Sequence, residues 1–162
     1  MALNFHVFLV MDKKHIFIRD ELYKEIVKSV PISCVDVIIQ YKGKFLLGRR
    51  TREPGKGQWF FPGGRIIKGE KLEEAAKRKI MEELGARVKV KDLKFLTTKE
   101  TIFKKGSLGS AVHTINSVFI LKLNKIFQIN NDYQHSEFKW FHKINKSWHF
   151  YIRDSLRSAG FK

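Results

Sequence analysis

Apolar and polar positions are spaced so that most of the elements can be read off directly. Residues 20–30 (DELYKEIVKSV) place Leu22, Ile26, Val27 and Val30 on one helical face, and Pro31 ends the run. Residues 33–40 (SCVDVIIQ) and 44–50 (KFLLGRR) read as strands around a turn at Lys42-Gly43-Lys44, which predicts a hairpin. Residues 71–84 form the clearest helix, with Leu72, Ala75, Ala76, Ile80 and Leu84 as its inward stripe. Glu74–Arg78 and Lys79–Glu83 are spaced to pair along it, and Gly85 stands at its C-cap. Strand signals follow at 86–90, 93–101, 112–123 and 137–141, with a KKGSLGS loop between the second and third, and a terminal helix is predicted over 147–159. Ahead of the first helix, 5–10 and 15–18 predict two short strands around a turn at Asp12–Lys14. Mixed strands around one strong central helix imply an α+β fold.

Size and composition narrow the class. A chain of 162 residues suits a single domain over 1–162, with 1–19 as an extension of unassigned role. A hydrophobic content of 43% excludes a disordered chain. Apolar runs fall short of a membrane span. The first apolar stretch has no basic residue before it and no small-residue cleavage site after it, so a cytoplasmic protein is expected. The lone Cys34 excludes an intramolecular disulfide and most zinc modules.

Charge adds a preference for partners. Lysine and arginine number 32 against 16 acidic residues, a net charge of +16, and such a field attracts nucleotides, phosphosugars and other polyanions. A lysine-rich composition by itself accounts for it equally well. The basic residues are scattered rather than gathered in a block, so a nucleic-acid partner is not expected.

Glycine and proline cluster between Pro54 and Gly69, just ahead of the strong helix. Glu70 lies at that helix's entrance and Glu82 and Glu83 in its last turn. Carboxylates so placed can hold a hard cation, which would neutralise a diphosphate. Acids near a helix C-terminus oppose its dipole, and a bound cation would compensate. A solvated charged face is the plain alternative for the helix alone.

The segment from Gly64 to Ala86 resembles the Nudix box, G-x5-E-x7-R-E-U-x-E-E-x-G-U, where U is aliphatic. Gly64, Glu70, Arg78, Ile80, Glu82, Glu83, Gly85 and Ala86 match; Lys79 replaces the glutamate after the arginine. The resemblance implies a Nudix fold, a mixed sheet between helices with the site on a loop–helix–loop. The substitution removes one usual metal ligand and implies fewer metal ions, one per site.

Residues 20–142 are further similar to the GDP-mannose mannosyl hydrolase branch, through the stretch from Pro31 to Ile66 and through Asp132-Tyr-Gln-His-Ser-Glu-Phe-Lys-Trp-Phe141. That likeness implies Mg²⁺-dependent hydrolysis of a nucleotide sugar by water attack at the anomeric carbon, with Mn²⁺ able to substitute. It implies Glu83, Gln134, the Gly63 carbonyl and Glu82 as metal ligands. His135 would be the general base, Arg50 and Arg65 would bind the diphosphate, and Asp36 would steady positive charge on the sugar. Asp36 lies between Val35 and Val37, where a carboxylate needs a role or a partner. Arg78 is expected to pair with Glu74 or Glu82. Trp59, Phe60 and Phe61 are expected to pack beneath the loop, and Trp140 and Phe141 in the core. Thr114 stands where that branch has a tyrosine. A homodimer is implied by resemblance alone. Two other functions remain open: a Nudix diphosphatase attacking phosphorus of ADP-ribose or a nucleoside triphosphate, and a nucleic-acid-binding Nudix module.

Overall fold

The computed structural model describes residues 18–129 and 135–162. The predicted strands at 5–10 and 15–18 fall essentially outside that range, as does Gln134.

A central sheet carries a helix on each face. The chain runs α1 (Asp20–Ser29), β1 (Ile32–Tyr41), β2 (Lys44–Arg50), β3 (Trp59–Phe60), β4 (Gly63–Arg65), α2 (Leu72–Leu84), a 3₁₀ turn at Val90–Asp92, β5 (Leu93–Phe103), β6 (Val112–Lys122), β7 (His135–Phe141) and α3 (Phe150–Ser158). Strand order is β3-β2-β1-β6-β5, with β7 added beside β2 and β4 beside β1. The α+β architecture is the one expected. Strand periodicity explains the layering. Val35, Val37 and Ile39 of β1 and Leu46 of β2 face Ala75, Ala76, Ile80 and Leu84 of α2. The alternate residues Ile38, Phe45 and Leu47 face Trp148 and the Tyr151, Ile152 and Leu156 side of α3.

β1 is central. It pairs in parallel with β6 from Ile32 to Gln40. Its other edge is divided: Gln40 and Tyr41 pair with β2, whereas Cys34, Val35 and Asp36 pair with β4. The hairpin therefore splays below its turn, and β4 enters the gap.

Several local expectations are corrected. Residues 86–90 do not form a strand; they lead into the 3₁₀ turn. β3 and β4, too short to carry a periodic signal, were not anticipated. Leu22 of α1 and Val30 at its C-cap are each 52% exposed, and only Val27 of that helix is buried. Leu72 is also exposed. Gly85 takes the left-handed conformation at the α2 C-cap, φ 69°. Phe60 and Phe61 are buried as expected, with Trp59, Trp140 and Phe141 packed at the core margins.

Candidate active site

A cavity of about 460 Å³ opens where β1, β4 and β6 meet the second half of α2 and the side of α3. Its wall joins Asp36, Arg50, Arg65, Arg78, Lys79 and Tyr151, with Thr114 and Asn116 from β6. Of the expected residues, Asp36, Arg50, Gly63, Gly64, Arg65, Arg78 and Glu82 all reach it.

Asp36 sits where β4 crosses β1, and glycine at position 63 is what lets the strands approach. A Cβ on Gly63 would lie 2.1 Å from Asp36 Oδ1 and 2.3 Å from the Val35 carbonyl. The Tyr151 hydroxyl donates to Asp36 Oδ2. Burial pushes the Asp36 carboxyl up to about 6, against the opposing pull of that hydrogen bond and of the Arg50 and Lys79 charges. Burial likewise raises the Cys34 thiol to about 12, which leaves it unreactive.

Arg50 lies over the Phe60 ring, 5.6 Å from its centroid, and its buried Nε has no hydrogen-bond partner among the described residues. Burial lowers its pKa, partly offset by Asp36 and Glu83. A buried guanidinium N–H lacking an acceptor is costly, and an anionic substrate group would supply one. Arg65 stacks over Tyr23 at 5.6 Å. Thr114 exchanges a 2.6 Å hydrogen bond with Thr101 on the cavity wall.

On the α2 side the acids are tied to basic groups. Arg78 Nε and Nη2 donate to the two Glu70 oxygens at 2.8 and 2.9 Å, Nη1 reaches Glu82, and Nη2 also donates to the Arg65 carbonyl at 3.0 Å. Of the two expected partners, Glu82 is taken and Glu74 instead meets Lys77. Lys79 Nζ lies 3.1 Å from Glu82 and 2.9 Å from Glu83, so the predicted Lys79–Glu83 pair forms. Glu83 is only 1% exposed, and its Oε2 accepts from the Gly63 N–H at 3.1 Å.

His135, like Glu70 and Glu83, does not line the cavity. It pairs in register with Arg50, but its ring is buried, packed near Phe138 and tight against Gly48. Tyr151 was missed by sequence reasoning, since nothing local distinguishes it from other apolar-face residues of α3. Thr114 and Asn116 lie on alternate positions of β6, but His113 and Ser117 beside them blur any polar-face signal.

A half-buried carboxyl and a wall of arginines beside a glycine-rich loop and helix make a lining suited to an anionic group. The NUDIX domain pattern matches residues 31–144, and the chain belongs to the Nudix family of hydrolases. It is 34% identical over 147 residues to the low-salt glycan biosynthesis protein Agl8 of Haloferax volcanii, covering 90% of this chain and 92% of that protein. It is 37% identical over 108 residues to the ADP-ribose pyrophosphatase of Methanocaldococcus jannaschii, covering 67% of this chain and 60% of that one. The crystal structure of a MutT Nudix hydrolase from Burkholderia pseudomallei shares the fold, with TM-score 0.67 and 24% identity over 80% of this chain and 98% of that one.

Nudix hydrolases generally use a divalent metal such as Mg²⁺. Two of the ligands expected here, Glu82 and Glu83, meet the Lys79 ammonium. Gln134 lies outside the described residues. No three His, Cys, Asp or Glu side chains converge as metal ligands among the described residues. The described donor set therefore does not fit a divalent ion while Lys79 occupies that place.

Proposed function

We propose that the protein hydrolyses a nucleotide sugar, GDP-mannose or a close relative, by water attack at the anomeric carbon. The observation that carries this reading is the placing of Asp36, a half-buried carboxyl on the wall of one cavity with the Arg50 and Lys79 charges. Arginines suit the diphosphate, and the carboxyl suits the sugar. The naming of Agl8 as a glycan biosynthesis protein points to the same substrate chemistry.

In this mechanism Arg50 and Arg65 draw off the negative charge that builds on the leaving diphosphate. Asp36, ionised above pH 6, offsets positive charge at the sugar carbon. We also assign it the proton of the attacking water, in preference to His135, because Asp36 is on the cavity wall. Tyr151 holds the carboxylate in place through its hydroxyl. A homodimer belongs to the same proposal by resemblance.

Product analysis in ¹⁸O-water tests it. GDP with label in free mannose is the expected result. GMP with mannose 1-phosphate, labelled at phosphorus, would overturn it in favour of the diphosphatase reading. The choice of base is tested separately: Asp36→Asn should lower kcat by at least ~10²-fold, and a loss of that size in His135→Gln with Asp36→Asn near normal would return the role to His135.

A further inference from the structure

Lys79 is 7% exposed, an uncommon state for a lysine. Its stem runs beneath the glycine loop, where a Cβ on Gly64 would come within 3.0 Å of its Cε. Its ammonium reaches both carboxylates of the last α2 turn and also borders the cavity. Two adjacent acids at a helix C-terminus repel each other and oppose the dipole, so a cation is needed there. The chain supplies one from its own helix.

We propose that the Lys79 ammonium is a tethered cation that takes the place between Glu82 and Glu83, so that this pair holds no divalent ion and the substrate's diphosphate is met by N–H donors instead. The arrangement differs from a surface ion pair in two respects. Glu83 is sealed, with its second oxygen held by the Gly63 N–H, so its position is fixed. The ammonium also lies on the same wall as Arg50, Arg65 and Arg78, which gives an anion four cationic side chains to meet. The inference rests on the substrate being a diphosphate, not on which sugar it carries or which bond is cut.

The test uses the full chain without turnover. Mn²⁺ binding is followed by electron paramagnetic resonance in wild type, Lys79→Gln, Lys79→Glu and Glu83→Gln. Wild type should bind Mn²⁺ only weakly, Glu83→Gln should leave that weak binding unchanged, and Lys79→Glu should tighten it by about tenfold or more. One micromolar Mn²⁺ site in wild type that is lost in Glu83→Gln would overturn the proposal. Calorimetry with inorganic pyrophosphate in EDTA gives a second reading. Wild type should bind it and Lys79→Gln about tenfold more weakly; equal affinity, or no binding by wild type, would also overturn the proposal. Circular dichroism checks each variant's fold. If Lys79→Glu does not fold, wild type and Lys79→Gln decide the matter. Because no measurement depends on turnover, a wrong sugar would leave these results intact.

Discussion

The two walls of the cavity treat acidic groups in opposite ways. On the α2 wall Glu70, Glu82 and Glu83 each have a basic partner within 3.1 Å. On the α3 wall Asp36 is held by a neutral phenol, and the cationic groups act on it across a distance. Burial costs both sets their water. Ion pairs offset that cost on the first wall, and Glu82 stays below the ordinary carboxylate range despite its burial, held there by Lys79 and Arg78. On the second wall the cost is left standing, which is why Asp36 titrates near neutrality. One wall is built to be rigid and the other to react.

The comparison breaks most visibly at Asp36. Besides its effect on turnover, Asp36→Asn should stabilise the protein. The folded carboxyl titrates near 6 and the unfolded one near 3.8, so the folded state binds more protons between them. Stability therefore falls as pH rises from about 4 to about 6, by at most about 3 kcal/mol, and stays low above that. Melting curves should show the variant gaining several degrees at pH 7.5 and nothing at pH 4. A gain equal at both pH values would sink the argument. On the opposite wall Arg78→Gln should cost about 3 kcal/mol, because it takes the two-point guanidinium partner from Glu70, whose side chain is 3% exposed; urea denaturation measures it. Arg50→Lys should raise KM about tenfold with a smaller change in kcat, since an ammonium cannot reproduce the guanidinium's fork of donors. Steady-state kinetics separate the two. The smallest effect belongs to Glu74→Ala, whose pairing with Lys77 is exposed and should contribute less than about 0.5 kcal/mol to unfolding.

How far the sequence made this site legible depends on where each contact originates. The α2 wall is local: Arg78, Lys79, Glu82 and Glu83 lie on one helix, and their spacing implied the Lys79–Glu83 and Arg78–Glu82 pairs, whereas the Arg78–Glu70 pair spans the loop and was not implied. The hairpin and both flanking helices were legible for the same reason, through periodicity. The Asp36 wall depends on contacts far apart in the chain. A carboxylate between two valines announced a need for a partner but not which one, and Tyr151 carries no mark of its role. β4 was illegible because three residues cannot show alternation; it exists because glycine at 63 tolerates the close crossing. The exposure of Leu22 and Val30 shows the limit of a helical stripe, since α1 touches the body over a narrower strip than its apolar face.

The pairing of Asp36 with Tyr151 also orders events in time. The two residues are 115 positions apart, and β1 is made well before α3. Closing so long a loop is slow compared with forming the β1–β2 hairpin or α2. A chain still emerging from the ribosome can thus complete the helix wall, with all its ion pairs, while the reactive carboxyl waits for its phenol. Competence to act on a substrate therefore arrives only when α3 docks, because the helix that closes one side of the core with Ile152 and Leu156 also brings Tyr151 to the site.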